Sequence, residues 1–162
     1  MKVQEIMTGE VKSCRPEMDL TTAATIMWEQ DCGCVPVVDG DGRVVGMITD
    51  RDICMAVATR LRIAPEITIG EVMSGRVHAC APDDEVTQAL EIMSREKLHR
   101  LPVLNGDGVL TGILSFNDVA LHARKGGGKN HVSHKEVMAT LKSLCEHRTL
   151  PSPPDDQVVL LI

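Results

Sequence analysis

Apolar and polar positions along this chain follow two periods in turn, and the whole succession happens twice. Between Asp19 and about Gln30, Leu20, Ala23, Ala24, Met27 and Trp28 recur at helical spacing behind Asp19 as N-cap, and Gly33 is expected to end that helix. Val11–Cys14 reads as a brief strand closed by Pro16, and Val35–Val38 as a short apolar strand. Asp39-Gly-Asp-Gly42 is a hairpin turn that sends Arg43–Thr49 back as the next strand, and Asp50–Thr59 is a helix. With Lys2–Met7 as a short helical lead-in, the order is strand, helix, strand, strand, helix.

The second pass repeats the first without a gap. Laying Val3–Val57 over Ile69–Ala123 at an offset of 66 residues makes 17 of 55 pairs identical, among them Met7/Met73, Pro36/Pro102, Gly46/Gly112 and Asp52/Asp118. Such an offset marks a duplicated structural unit. The predicted elements of the second copy are strand Val77–Cys80, helix Glu85–Glu96, strand Leu101–Leu104, turn Asn105-Gly-Asp-Gly108, strand Val109–Ser115 and helix Phe116–Ala123. Glu71–Met73 repeats the lead-in. Short apolar strands beside amphipathic helices imply an α+β fold of small sheets, each covered by helices on one side. A repeat of about 55 residues cannot bury its apolar face alone, so the two must pack face to face.

Five segments follow: residues 1–60 as repeat 1, 61–124 as repeat 2, 125–132 as a glycine-rich linker, 133–147 as a terminal helix and 148–162 as a flexible tail. The helix opens on a capping box, Ser133 to Glu136, and carries the stripe Val137, Leu141, Leu144 and Cys145, which must dock on something. Lys125-Gly-Gly-Gly-Lys129 is not a phosphate loop, because no hydroxyl residue follows the lysine and no strand precedes it.

Composition narrows the function. A net charge of −6 disfavours a phosphate-backbone partner, and one Trp, one Phe and no Tyr leave little for bases to stack on, so no nucleic acid is expected. No apolar run approaches a membrane span and Met1 leads into a polar stretch, which places the chain in the cytoplasm with no membrane partner. The six cysteines then read as reduced thiols.

The chemistry sits in Gly46-Met-Ile-Thr49-Asp-Arg-Asp52 and its copy Gly112-Ile-Leu-Ser115-Phe-Asn-Asp118. A hydroxyl followed three residues later by a carboxylate is, at its simplest, a capping box. Here each pair stands at a strand-to-helix corner, and both copies keep it while Asp50/Phe116 and Arg51/Asn117 change. An ionised Asp accepts two hydroxyl donors, which the vicinal hydroxyls of ribose supply, and a helix N-terminus favours anionic groups. Such a corner suits a ribonucleotide.

In order, Ile6-Met-Thr8 and Val72-Met-Ser74, Val35-Pro-Val-Val38 and Leu101-Pro-Val-Leu104, the Gly-Asp-Gly turns and the two corners make Val3–Ala123 resemble the tandem cystathionine-β-synthase-type (CBS) domain pair, or Bateman module. The resemblance implies two βαββα repeats about a pseudo-twofold axis. It implies a regulatory, energy-sensing role in which AMP, ADP, ATP or S-adenosylmethionine binds in clefts between the repeats. It implies a flat homodimer, here through Asp50–Thr59 and Phe116–Ala123, and a protein partner that receives the signal. Carried over by position, Thr49 and Asp52 hold ribose in the first cleft, and Ser115 and Asp118 in the second. Cys32, Gly33 and Cys34, with Leu98, His99 and Arg100, line adenine. His99, Arg100 and Arg51 reach phosphate in the first cleft; the first repeat has Gly33 and Cys34 where the second has His99 and Arg100.

Three rivals stand beside this. No nucleophile motif surrounds any cysteine, so no catalytic residue and no enzyme is expected. Cys32-x-Cys34 is too closely spaced for a zinc hairpin, and His131, His134, Cys145 and His147 make a metal site only if the linker folds back, so no metal is expected. His78 and His122 read as lone surface or core-edge residues. The third rival is a scaffold with empty clefts whose terminal helix binds a partner.

Overall fold

The computed structural model describes residues 1–126 and 131–146. Helices α1 (Leu20–Glu29), α2 (Asp50–Thr59), α3 (Val86–Glu96), α4 (Phe116–His122) and α5 (His134–Cys145) alternate with strands β1 (Cys34–Val38), β2 (Val44–Thr49), β3 (Arg100–Leu104) and β4 (Leu110–Ser115). β1 pairs antiparallel with β2, and β3 with β4, each with a bulge before its last pair. Each hairpin turns on one side chain: Asp39 Oδ1 accepts from the Asp41 and Arg43 amides, and Asn105 Oδ1 from those of Asp107 and Val109. Gly42 and Gly108 both close the turn at φ +79°, a region that L side chains rarely adopt.

Pairing between the repeats defines the symmetry. Thr8 bridges Ile113 while Ser74 bridges Met47, and Lys2 bridges Glu85 while Thr68 bridges Asp19; each pair becomes its mate on adding 66 to one number and subtracting it from the other. Arg43 bridges Val109, and the offset maps that pair onto itself, so the pseudo-twofold axis passes between them. The contact is tight where the strands cross: a Cβ on Gly46 would stand 2.8 Å from the Ser74 carbonyl oxygen, and one on Gly112 2.8 Å from that of Thr8.

The cores are exchanged in the same way. One cluster joins Val3 and Ile6 of the first lead-in to Val86, Leu90, Met93, Leu101 and Leu114 of the second repeat. The other joins Ile67 and Ile69 to Leu20, Val35, Val37 and Ile48 of the first. Each fully buried Leu or Ile contributes about 1.5–3 kcal/mol, so neither half holds its core without the other's lead-in.

Several expectations change. Val11–Cys14 and Val77–Cys80 are single bridges, not strands: Cys14 donates to the Pro36 carbonyl and accepts from the Val38 amide, and the next bond of that parallel ladder would need the amide proton Pro36 lacks. Pro102 stops the ladder at Cys80 identically. The reversal after α1 falls at Asp31, φ 47°, and not at Gly33; Lys97, φ 56°, does the same after α3. Lys2–Met7 shortens to a 3-10 turn over Val3–Glu5.

α5 docks on the second repeat. Val137, Leu141 and Leu144 pack against its core, Thr140 completes the face at 5% exposure, and Cys145 is exposed instead of joining the stripe. Ser133 caps α5 by accepting from the Glu136 amide. Val132, 1% exposed, plugs the start of this segment into the same core, and its carbonyl accepts from Arg124. Lys97 Nζ fixes the far end, donating to Ser143 Oγ at 2.9 Å and to Glu146 Oε2 at 2.7 Å. His147 and the tail expected over 148–162 lie outside the described residues, as does most of the glycine run.

Candidate functional site

Both corners form, and both are capping boxes. Thr49 Oγ1 accepts from the Asp52 amide at 3.2 Å and donates to Asp52 Oδ2 at 2.6 Å; the Thr49 amide donates to the same Oδ2 at 2.9 Å. Ser115 and Asp118 repeat the arrangement at 3.1, 2.6 and 2.8 Å. Capping consumes Oδ2 and the hydroxyl proton. It leaves Oδ1 of each aspartate with no hydrogen bond among the described residues, so each corner keeps one carboxylate oxygen for another donor.

The strand register sets what stands beside each corner. Cys34 pairs with Thr49 and Arg100 with Ser115. The first amide of each corner helix is tied back to the residue before the strand: Asp50 donates to the Gly33 carbonyl at 3.2 Å and Phe116 to the His99 carbonyl at 2.8 Å.

A cleft of about 830 Å³ opens on the first corner. Thr49, Arg51 and Asp52 line one wall, and Leu98, His99 and Arg100 the opposite one, with Gly33 and Cys34 between. Among its liners, sequence reasoning missed Asp50, Ser74, Arg76, His78 and Lys97, along with the apolar Met47 and Pro102. His78 is not a lone histidine, since its Nε2 lies 3.5 Å from Glu96 Oε2 at the cleft wall. Leu144, Cys145 and Glu146 of the α5 end form the rim.

A smaller cleft of about 290 Å³ opens on the second corner. Ser115, Asp118, Cys32, Cys34 and Arg100 line it, with Arg100 beside Ser115 on the neighbouring strand. Thr8, Glu10, Lys12, Gln30, Asp31 and Asn117 complete its polar lining and were also missed. The signal for several of these lay in the alignment of the repeats, where Glu10 faces Arg76 and Asp31 faces Lys97 in register. Arg100 and Cys34 reach both clefts, while Leu98 and His99 line only the first.

The thiols divide by burial. Burial pushes Cys14 up to about 11 and Cys80 up to about 12, and it raises Cys34, with the Arg100 charge partly opposing it. A thiol so held is a poor nucleophile. Cys54 and Cys145 are exposed, and all six are free. Among the described residues no group of three or more His, Cys, Asp or Glu is placed to hold a metal ion, and no helix is long and apolar enough to cross a membrane.

Comparison with known proteins matches this geometry. Residues 3–59 and 69–124 each match the CBS domain family. An uncharacterized 17.7 kDa protein of Acidianus ambivalens is 37% identical over 119 residues, 74% of this chain and 71% of that one. The CBS domain pair of protein MJ0100, solved in complex with 5′-methylthioadenosine and S-adenosyl-L-methionine, superposes with a TM-score of 0.68 at 26% identity, covering 75% of this chain and 94% of that one. The homoserine O-acetyltransferase of Methanococcoides burtonii is 31% identical over 117 residues, 72% of this chain but only 23% of that enzyme.

Proposed function

We propose that this chain, which belongs to the CBS domain family, is a non-catalytic regulatory module that binds adenosine-containing ligands in its two clefts and passes the bound state to a partner. One observation carries the reading: at both strand-to-helix corners an aspartate that lines a cleft is oriented by its own cap, and its Oδ1 has no hydrogen bond among the described residues. Ribose hydroxyls are the donors that fit. Thr49 and Ser115 hold the carboxylates in place; their hydroxyl protons are already committed.

In the first cleft, Cys34, Leu98 and Arg100 flank the adenine, while Arg51, His99 and Arg100 meet its phosphates. In the second, Cys32 and Cys34 serve the adenine. Volumes of about 830 and 290 Å³ are of the size that small-molecule sites occupy. AMP, ADP, ATP and S-adenosylmethionine all share the adenosine that the corner reads. The MJ0100 complex supports this class of ligand. The similarity to an acetyltransferase spans less than a quarter of that enzyme and gives no ground for catalysis here. The module acts in the cytoplasm, as an energy sensor where the ligand is a phosphorylated adenosine. It pairs as a homodimer through α2 and α4, where Met55, Val57 and Leu121 are 52%, 40% and 82% exposed. Light scattering of a monomer at tens of micromolar would remove the dimer.

Calorimetric titration tests the ribose contact directly. AMP should bind more tightly than 2′-deoxy-AMP by about 1–3 kcal/mol, because losing the hydroxyl leaves a carboxylate lobe unsatisfied. Equal affinity for the two would refute the reading.

A further inference from the structure

The offset of 66 pairs many liners of the two clefts, and several of those pairs change in charge. Glu10 stands where the first cleft has Arg76, and Asp31 where it has Lys97. Asn117 replaces Arg51, while Cys34 and Arg100 line both clefts and exchange places without changing the charge of either. Only Lys12, opposite His78, adds a cation to the second cleft. The corners themselves do not change: Ser115 and Asp118 keep the hydrogen bonds of Thr49 and Asp52. The two cavities thus share a corner, but the first is lined by four cations and three carboxylates, Asp50 among them, and the second by two cations and three carboxylates.

Backbone geometry makes the exchange direct. Asp31 and Lys97 share the left-handed conformation after α1 and α3, at φ 47° and 56°, so a carboxylate and an ammonium leave the chain from equivalent points. In the first cleft Lys97 is held by Glu146, Glu96 stands behind His78 and feels the charge of Arg76, and Asp50 lies in the lining; Arg51, Arg76 and Arg100 form no ion pair among the described residues and can meet an anion. In the second, Lys12 and Arg100 face Glu10, Asp31 and Asp118, and the cavity has about a third of the volume, 290 against 830 Å³.

We propose that the two clefts sort adenosine ligands by charge. The first takes a nucleotide with a phosphate chain, and the second an adenosine derivative without phosphate, uncharged or cationic. This rests on the adenosine reading above. A phosphate chain entering the second cleft meets Glu10 and Asp31, and like charges brought together reject a ligand more strongly than missing contacts do. A neutral or sulfonium-bearing 5′ group meets no such penalty there.

Calorimetry on the full chain, with ATP and 5′-methylthioadenosine as probes, tests the sorting. ATP should bind once per chain, in a site lost in Asp52→Ala and kept in Asp118→Ala. 5′-Methylthioadenosine should still bind Asp52→Ala, with that binding lost when Asp118→Ala is added. Arg51→Asn with Arg76→Glu, which copies the second cleft into the first, should weaken ATP roughly tenfold to a hundredfold. Glu10→Arg with Asp31→Lys should create a second ATP site, because Lys97 already occupies that backbone conformation in the other repeat. Two ATP sites of similar affinity in the unmodified chain, each removed by its own aspartate variant, would overturn the sorting and leave the adenosine reading intact. Failure of one probe alone to bind the unmodified chain would overturn the sorting, and failure of both would overturn the adenosine reading with it.

Discussion

Thr8 and Ile113 exchange two backbone hydrogen bonds of 2.9 Å, so the end of the first lead-in is paired on a strand of the second repeat. Ser74 and Met47 return the exchange at 2.9 and 3.1 Å. The crossings leave no room for a side chain at Gly112 or Gly46, where an added Cβ would also come within 2.8 and 2.7 Å of the sulfurs of Met7 and Met73. The methionines can move aside, but the carbonyl oxygens are fixed by these bonds. Gly46→Ala and Gly112→Ala should therefore each destabilise the fold by about 1–3 kcal/mol, through overpacking. Urea unfolding measures it. A glycine variant as stable as the parent would show that the repeats do not meet this closely in solution.

Asp52 caps α2, and the proposed function gives it a second role, in ligand recognition, that separate variants can distinguish. Thr49→Ala removes the cap and should cost about 1 kcal/mol of stability while leaving Oδ1 for a ligand. Asp52→Ala should cost a similar amount of stability and also abolish binding in the first cleft. Melting curves and titrations on the pair check both. If the two variants bind equally well, Oδ1 has no part in recognition.

Glu71 gives the fold an acid-sensitive joint. Its carboxylate accepts from the Thr68 amide at 2.8 Å, from Arg62 at 2.8 Å and from the Thr68 hydroxyl at 3.0 Å, which together hold it down to about 2 from an ordinary 4.5. The folded value lies below the unfolded one, so the unfolded chain takes up the proton first as pH falls. The stabilisation is fully present above about pH 4.5 and is lost as the pH falls toward 2. Glu71→Gln should flatten the acid limb of a stability–pH curve in that window. Parallel limbs for the two proteins would count against it.

The terminal helix belongs to the core that it covers. Val132→Ala should cost about 2 kcal/mol, from two buried methyl groups and the space they leave. A chain ended at Gly126 should lose more, since Val137, Leu141 and Leu144 also leave the second core. An unchanged denaturation midpoint would mean that α5 does not rest there.

Much of this was legible in the sequence because duplication doubles every signal. The 66-residue offset, the helices, both hairpins and both corners read directly from spacing, and α2 runs over Asp50–Thr59 as expected. What failed depended on contacts that spacing does not carry. Pro36 and Pro102 end the parallel ladders after one bridge, because their missing amide matters only once a neighbouring segment is in place. Cys145 has helical spacing with Val137 and Leu141 yet points outward, since α5 meets α3 through Thr140 and Ser143, whose hydroxyl donates to the Ser94 carbonyl. Arg76 and Glu10 were passed over because each is an ordinary surface charge until the clefts are seen to pair them. Exchange of the lead-ins was hidden too, since Val3 and Ile69 look equally apolar whichever core receives them.

That exchange has one more consequence. A single repeat made alone would carry a lead-in with nowhere of its own to go, and a second copy is the partner that completes it. Such a pair would be held by ordinary association and would have two clefts identical by symmetry, so any change to one would be forced on the other. Joining the copies through the connector with Pro65 makes the association intramolecular, at a high effective concentration independent of how much protein is present. It also breaks the identity, because a codon for residue 10 is no longer the codon for residue 76. Each cleft is then free to change without the other.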